Sequence, residues 1–475
     1  MADNTGSTAN DHLMQIHFLV VGGGVAGYAC AVALSRAGHR VTLLDLENAL
    51  DLAWGPYGIC VPPNFSKLLV RWGMGDELKA CGTALAKIKI ADYHTGEDMG
   101  FHNWQKEMLK DAGGDVVYAN LSDVRRILHA RALSHQAVIR SGVKVTSISV
   151  AEGLKPSARL TTGEVIEADV IIGADGSDSM VRREIIGQEL RETPLGLTVF
   201  NVRIPREKMT ADPELTALLE HEETAVTWLG IRYSALAYVV GKAYNFFVYT
   251  PTSGTEEYWR KPVPKEFLLK IMGQSTPTLQ KLANAATEIT CAPLNEPPEV
   301  EQWRHSHGRV ILVGDAAHPF PRTATHAPAM NAGDAAFLGM LFANLTKEDQ
   351  IDSFLAAYES SRRDRVKLVR HIELANLYQL AMPAGVEKDM RDTALKEKVA
   401  AGLDAFAQGG GDLAAQQWDL DKMLFAYDAE DHAAEWWNDW GLLKERATDA
   451  VRVPKARIPV MYTAQHIHAE NSDSQ

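Results

Sequence analysis

Apolar runs and turn signals alternate along the chain in a pattern that predicts its elements. Residues 16–21 (IHFLVV) form an unbroken apolar run, as expected of a parallel strand buried on both faces. The run passes into three glycines at 22–24 and a helix-like segment ending near Gly38, and a second run, 41–44, stops at Asp45. Two later runs, 169–172 and 310–313, repeat the pattern and end at Gly173 and Gly314. Residues 159–160 and 165–168 read as a hairpin around Thr162-Gly163. Between 195 and 250 the period becomes two, predicting strands over 199–204, 225–229, 236–240 and 244–249, and 84–104 reads as another hairpin turning at Thr95-Gly96. From Ile351 the chain turns helical: residues 354–358, a charged stretch 362–370, an apolar-periodic run to Leu380 and, after Pro383-Ala384-Gly385, a charged helical region to about 444.

These elements predict an α/β protein. A Rossmann-like domain is assembled discontinuously from 17–83, 105–190 and 300–382, interlaced with a mixed β-sheet substrate domain from 84–104 and 191–299. A C-terminal helical region follows over 383–450, with a polar tail at 1–16, another tail at 451–475, and a flexible glycine turn at 409–411.

Composition narrows the function. A net charge of −13 argues against nucleic acid or an anionic membrane as the main partner. No stretch approaches the about 18 consecutive apolar residues of a spanning helix. Residues 1–16 carry no hydrophobic signal region, and the four cysteines, Cys30, Cys60, Cys81 and Cys291, form no CxxC pair. A cytoplasmic protein with reduced thiols is expected.

The first strand, its glycines and Asp45 form a βαβ unit with G-x-G-x-x-G at the turn. Gly22 permits the tight turn, Gly24 lets a pyrophosphate approach the backbone, and Gly27 lets helix and strand pack closely. Val25 and Ala26 open a helix whose first N–H groups point at the phosphates. Asp45, 18 positions after Gly27, is placed to accept hydrogen bonds from an adenosine ribose. Two more strand ends carry chemistry: Gly173-Ala174-Asp175-Gly176 with Ser179 and Arg182, and Gly314-Asp315-Ala316-Ala317-His318-Pro319.

With these three motifs in this order, the chain resembles the single-component, class A FAD-dependent monooxygenases, which hydroxylate mostly phenolic rings. Val61-Pro62-Pro63-Asn64 before Arg71-Trp72-Gly73-Met74, Trp228-Leu229-Gly230 before Tyr244-Asn245, and Tyr427-Asp428 before Trp436-Trp437 resemble the salicylate hydroxylase-like branch. The resemblance implies non-covalent FAD, with Asp315 on the ribityl chain and Asp175 serving the nucleotide side. The segment around Pro321 would run beside the isoalloxazine, and Ala327 and Ala329 would open a helix facing flavin O-2. His318 becomes a structural part of its motif. A metal at His318 and His326 is not expected, because their spacing of eight fits no helical ligand pair.

The sequence departs from the family in three places. Relatives carry an Arg contacting the FAD phosphates where this chain has Leu121, so that contact is either absent or taken over by Arg125 or Arg126. Their Gly-Gln-Gly-like loop is here Thr325-His326-Ala327, and Asn201 stands where a strand often has Arg. A substrate pocket is expected between the flavin and the sheet, lined by Asn201, Arg203, Trp228 and Tyr238, with Tyr233 and His326 as candidates for proton transfer. Trp436, Trp437 and Trp440 read as a packing stripe or a subunit contact, in a monomer or homodimer.

The activity implied is hydroxylation of a small phenolic or aromatic substrate by NADPH or NADH and O2 through a flavin C(4a)-hydroperoxide, with decarboxylation where the substrate is a suitable hydroxybenzoate. A FAD-dependent epoxidase or oxidase of a non-aromatic natural product, or a degenerate flavin-binding protein, are the alternatives. A flavin halogenase is disfavoured because its Trp-x-Trp-x-x-Ile signature is missing.

Overall fold

The computed structural model describes residues 13–47, 57–187, 191–259, 261–306, 308–407 and 422–443. The tail at 451–475, residues 1–12 of the first tail and the turn at 409–411 lie outside the described residues. Contacts divide the chain into two units, Met1–Ala433 and Ala434–Gln475. In the second, Trp437–Gly441 winds as a π-helical turn in which Trp440 stays exposed.

In the first unit the apolar runs become one parallel sheet. Its order is Val310–Leu312, Val170–Gly173, His17–Val21, Arg40–Asp45 and Val138–Ser141. Every residue of His17–Val21 is buried, because helices cover both faces of a sheet of this kind. Helix Val25–Arg36 crosses back over the sheet and meets helix Ala327–Phe342 so closely that a Cβ on Gly339 would lie 2.7 Å from the Ala33 Cβ.

The period-two region forms a seven-stranded sheet. It runs Glu288–Glu296, Thr193–Pro205, Ala243–Pro251, Ser234–Val240, Thr224–Leu229, Lys87–Asp92 and Asp98–Asn103, antiparallel except where Thr224–Leu229 meets Lys87–Asp92. The edge strand Glu288–Glu296 was not expected, since its apolar alternation is broken by Pro293 and Asn295. One face carries Phe200, Val202, Trp228, Val239 and Phe246 and packs on helices Lys265–Ile271 and Pro277–Ala285. The other carries Val199, Tyr238, Phe247 and Tyr249 and packs against Cys60 and Tyr118 of the nucleotide-binding side, Leu377 of helix Gln350–Leu380 and its cap residue Ala381. The site is therefore expected on this inner face.

The charged stretch 362–370 turns several charges inward: Arg362, Arg365 and Arg370 are all buried. Arg362 donates from Nε to Asp334 Oδ1 at 2.8 Å and also reaches the Met330 carbonyl and the Tyr427 hydroxyl. The second Asp334 oxygen accepts the Gly314 N–H at 2.8 Å and lies 2.6 Å from His318 Nε2. Burial pushes the Asp334 carboxyl up, but His318 and Arg362 outweigh it and hold it at about 2. Segment 422–433 closes over this network. Arg71 pairs with Asp428 and Glu430 at 2.7 Å each, and the Trp72 indole donates to Glu430 at 2.9 Å.

Two expectations follow. Arg362→Met leaves a buried carboxylate short of its cation and should cost about 3–5 kcal/mol, read as a fall in the urea unfolding midpoint; an unchanged midpoint would contradict this role. Because the folded Asp334 carboxyl is depressed, its contribution of about 2 kcal/mol is present above about pH 4 and is lost as pH falls through about 2. Denaturant titrations over that window test it, and Arg362→Met should move the loss to higher pH.

Candidate active site

The three motifs meet pairwise. Gly22 adopts φ +111°, and a Cβ there would lie 2.3 Å from the Ala174 carbonyl oxygen, so the first turn rests on the second motif. Gly314 adopts φ +59°, with its missing Cβ 2.6 Å from that of Ala26, so the third motif rests on the first. Arg182 joins the second to the third by donating to the carbonyls of Asp315 at 3.3 Å and Ala316 at 3.0 Å. A Cβ on Gly27 would lie 1.9 Å from the Gly22 oxygen, which is the close helix–strand packing expected of that position.

Gly24 caps helix Val25–Arg36, and a Cβ there would meet nothing within 4 Å, leaving open space before the helix N-terminus. Asp45 lies below Gly23, its Oδ2 held by Tyr28 at 3.1 Å and Arg125 at 3.3 Å. Arg125 also donates to the Gly23 carbonyl at 3.0 Å, whereas Arg126 is turned outward to Asp123. Of the two arginines considered in place of Leu121, the structure brings Arg125 to the glycine turn. Asp175 is placed differently from its expected nucleotide role. Its carboxylate is folded back on its own motif, accepting the Met180 and Val181 N–H groups at 2.7 and 3.0 Å and the Ser179 hydroxyl.

Asp315 is the under-partnered acid. Its contact with Asn331 Nδ2 is long, at 3.4 Å, while the Asn331 Oδ1 is buried with no partner. Burial raises the Asp315 carboxyl from its ordinary range, against the smaller pull of His318, Asn331 and Arg322. Buried polar atoms short of hydrogen bonds between three converging loops fit a hydroxyl-rich chain such as the ribityl of FAD. Sequence reasoning found Asp315 from its motif but missed Asn331, which nothing in the helical pattern distinguishes.

The inner sheet face faces the third-motif loop, with Tyr249 in hydrogen-bonding reach of Thr323. Tyr238 lies on this face, its ring stacked on Tyr118 at 3.8 Å. Strand register places Asn201 opposite Phe247 and Arg203 opposite Asn245, so these also point inward; Arg203 is half-exposed, 3.9 Å from Glu288. Trp228 and Tyr233 are corrections. Trp228 has the opposite strand parity and is buried in the outer-face core, and Tyr233 packs on the same core beside Tyr93, at 5.7 Å. Pro321 is buried in the third-motif loop, and Ala327 and Ala329 occupy the first turn of their helix. His326 caps that helix, with Nδ1 2.6 Å from Glu373. Tyr57, Phe247, Tyr249, Asn245 and Glu373 were not singled out beforehand, although the parity of 245, 247 and 249 was readable in the strand.

A Rossmann-like sheet whose three strand-end loops close on an under-partnered acid, roofed by a second sheet, defines a flavoprotein of the FAD-dependent hydroxylase class. The chain belongs to the FAD binding domain family, whose model matches residues 15–371. It is 28% identical over 388 residues to a 3-hydroxybenzoate 6-hydroxylase of Klebsiella oxytoca, covering 80% of this chain and 92% of the relative. It is 26% identical over 384 residues to the FAD-dependent monooxygenase OpS4 of Beauveria bassiana, covering 80% and 89%. Its fold is similar to that of Klebsiella pneumoniae HpxO crystallised with FAD and uric acid, with a TM-score of 0.72 at 20% identity, covering 87% and 99%. A salicylate hydroxylase substrate complex has the same fold, with a TM-score of 0.68 at 20% identity, covering 88% and 97%. The chain is an FAD-dependent monooxygenase of the aromatic-hydroxylase type. Among the described residues no helix is long and apolar enough to cross a membrane.

Gly24→Val should give folded protein that purifies without yellow colour, since a side chain there enters the open space before the helix N-terminus without meeting protein atoms. Asp315→Ala should weaken FAD at least about tenfold, the loss expected when a charge-assisted hydrogen bond is removed, read by flavin fluorescence on dialysis. Full FAD occupancy in both variants would contradict the placement.

Proposed function

We propose that this chain uses NADPH or NADH and dioxygen to hydroxylate a small phenolic substrate held between the third-motif loop and the inner sheet face. The observation that carries this reading is the make-up of that face: flat rings beside buried, unpaired amides. Tyr57, Phe247 and Tyr249 lie on one side, and the Tyr57 and Phe247 rings are edge-on at 5.7 Å. Both side-chain polar atoms of Asn245 and the Oδ1 of Asn201 are buried without a partner. An unpaired buried polar group costs about 1–3 kcal/mol, which a ligand carrying ring hydroxyl or carboxylate groups would relieve. The names of the relatives, a hydroxybenzoate hydroxylase among them, point to the same substrate class.

Bound FAD, once reduced by the nicotinamide, supplies an electrophilic oxygen from dioxygen. The work of the protein is to position, shield and deprotonate. The aromatic face orients the ring of the substrate, and the two asparagines fix its polar substituents. His326, at the end of the loop, takes the phenolic proton, since a phenolate is attacked more readily than a phenol. Arg182 and the buried Asp334 network hold the loop so that water stays out of the site.

The test is a panel of hydroxybenzoates and larger phenols with the FAD-loaded protein, following NADPH and NADH oxidation, hydroxylated product, hydrogen peroxide and CO2. At least one phenol should give product in proportion to nucleotide consumed, with CO2 where the attacked carbon carries the carboxylate. Asn245→Leu should raise KM for that phenol about tenfold, equivalent to about 1.4 kcal/mol. Quantitative peroxide with every phenol, or turnover confined to alkenes, would sink the reading.

A further inference from the structure

His326 and Glu373 form a buried pair that the family resemblance does not account for. His326 stands where the resemblance places glutamine, and Glu373 falls in a helical stretch read only as apolar-periodic. His326 is 4% exposed and Glu373 also 4%. One Glu373 oxygen, Oε1, accepts the His326 backbone N–H at 2.6 Å and lies 2.6 Å from His326 Nδ1. The other ring nitrogen, Nε2, is buried without a partner.

The helix places this pair at the substrate face. Glu373 and Leu377 are one turn apart and share one side of helix Gln350–Leu380, and Ala381 caps its end. Leu377 and Ala381 pack directly into the inner-face cluster with Tyr238, Phe247 and Tyr249. Glu373 is close enough to Tyr249 and Cys60 to act on both electrostatically. Burial is the larger influence there and pushes both groups up, so they stay neutral beside the carboxylate. Phe425 closes another side, its ring 5.6 Å from that of His326.

An oxygen that already accepts a backbone N–H acts as an acceptor toward the ring as well, so Nδ1 carries the proton and Nε2 presents a lone pair. We propose that Glu373 is the positioning residue for His326: it fixes the imidazole as the Nδ1–H tautomer and leaves Nε2 as the acceptor for the substrate proton. The proton passes from the phenol oxygen to Nε2, giving an imidazolium held by the carboxylate, and returns to solvent after the product forms. The geometry is that of a base oriented by a third group, here anchored also through the main chain. The catalytic half of this inference rests on the hydroxylase reading above; the tautomer does not.

Two measurements test it separately. The first is imidazole nitrogen NMR on FAD-loaded, nitrogen-15-labelled protein, with His326 assigned by difference against His326→Gln. The nitrogen shifts should report Nδ1–H as the dominant form in the wild type, and a mixture in Glu373→Gln, whose amide oxygen preserves the backbone contact but not the charge. A wild-type His326 found as Nε2–H, or as an even mixture, overturns the proposal without any substrate. The second is turnover of a coupled phenol. Glu373→Gln should lower kcat by about 100-fold, the lower end of a general base's contribution, with KM nearly unchanged and FAD retained. Should Glu373→Gln fail to fold, Glu373→Asp keeps the charge at a longer reach and should give an intermediate loss. A full wild-type kcat in the variant overturns the catalytic role. If the wild type turns over no phenol at all, the hydroxylase reading is what fails, and the tautomer result still decides the positioning.

Discussion

The structure depends on charged side chains of one helix gripping a segment that has little side chain to be gripped by. Residues 314–334 are rich in Gly, Ala and Pro, so ordinary apolar packing offers few handles. Helix Gln350–Leu380 instead holds them by polar atoms at three heights. Arg362 takes Asp334 and the Met330 carbonyl, Arg370 takes the Pro319 carbonyl at 3.4 Å, and Glu373 takes the His326 N–H. Each contact ties a backbone or carboxylate group of the segment to the helix. A buried ion pair contributes little net stability against a well-packed apolar substitute, but losing one partner is costly, so it defines one arrangement sharply. That sharpness suits a loop which must pass a flavin at a fixed distance.

The same constraint explains why three motifs far apart in sequence converge. Once Asp334 holds the Gly314 N–H, the turn at Gly314 is fixed against Ala26, and Arg182 closes the remaining gap by binding the carbonyls of Asp315 and Ala316. The glycines at 22, 27 and 314 are then requirements of contact between motifs as much as of approach to a ligand. Asp175, whose carboxylate organises its own turn, contributes indirectly by holding the helix that carries Arg182.

Most of the fold was legible because its signals are local. An apolar run ending in glycine says strand and turn with no knowledge of the partner strand, and so four of the five strands of the parallel sheet, the hairpins and four strands of the larger sheet could be read directly, while the partly exposed edge strand Val138–Ser141 was not. The strand Glu288–Glu296 could not, because its alternation is interrupted by proline and asparagine. In the site, motif residues such as Asp315 were legible and face assignments were not. Alternation separates Trp228 from Thr227, but which parity faces the flavin depends on how two sheets dock, and that is not a local property. Trp228 was expected to line the pocket and Tyr233 to handle a proton, but both rings serve the outer core, which needs aromatics equally. Arg362, Arg370 and Glu373 were hidden for the opposite reason. A run of charges on a helix ordinarily faces water, and only a partner such as Asp334, itself inconspicuous in a small-residue helix, turns it inward.

The third-motif loop adds a last step to this reasoning. Thr323 adopts φ +70°, a left-handed conformation that a β-branched residue enters at a cost of about 1–2 kcal/mol. Such a conformation persists only where its surroundings over-determine it. Here the loop is pinned before Thr323 by Arg370 at Pro319 and after it by Glu373 at His326. A strained turn fixed at both ends has little freedom to swing. Positions 325 and 327 of this loop are threonine and alanine, which allow a narrower range of backbone conformations than glycine. The loop side is thus tied down by polar contacts, whereas buried amides of the sheet face still lack partners. Differences in substrate between proteins sharing this loop architecture are then to be sought in the inward-facing residues of the strands, with the loop setting the distance at which any substrate is met.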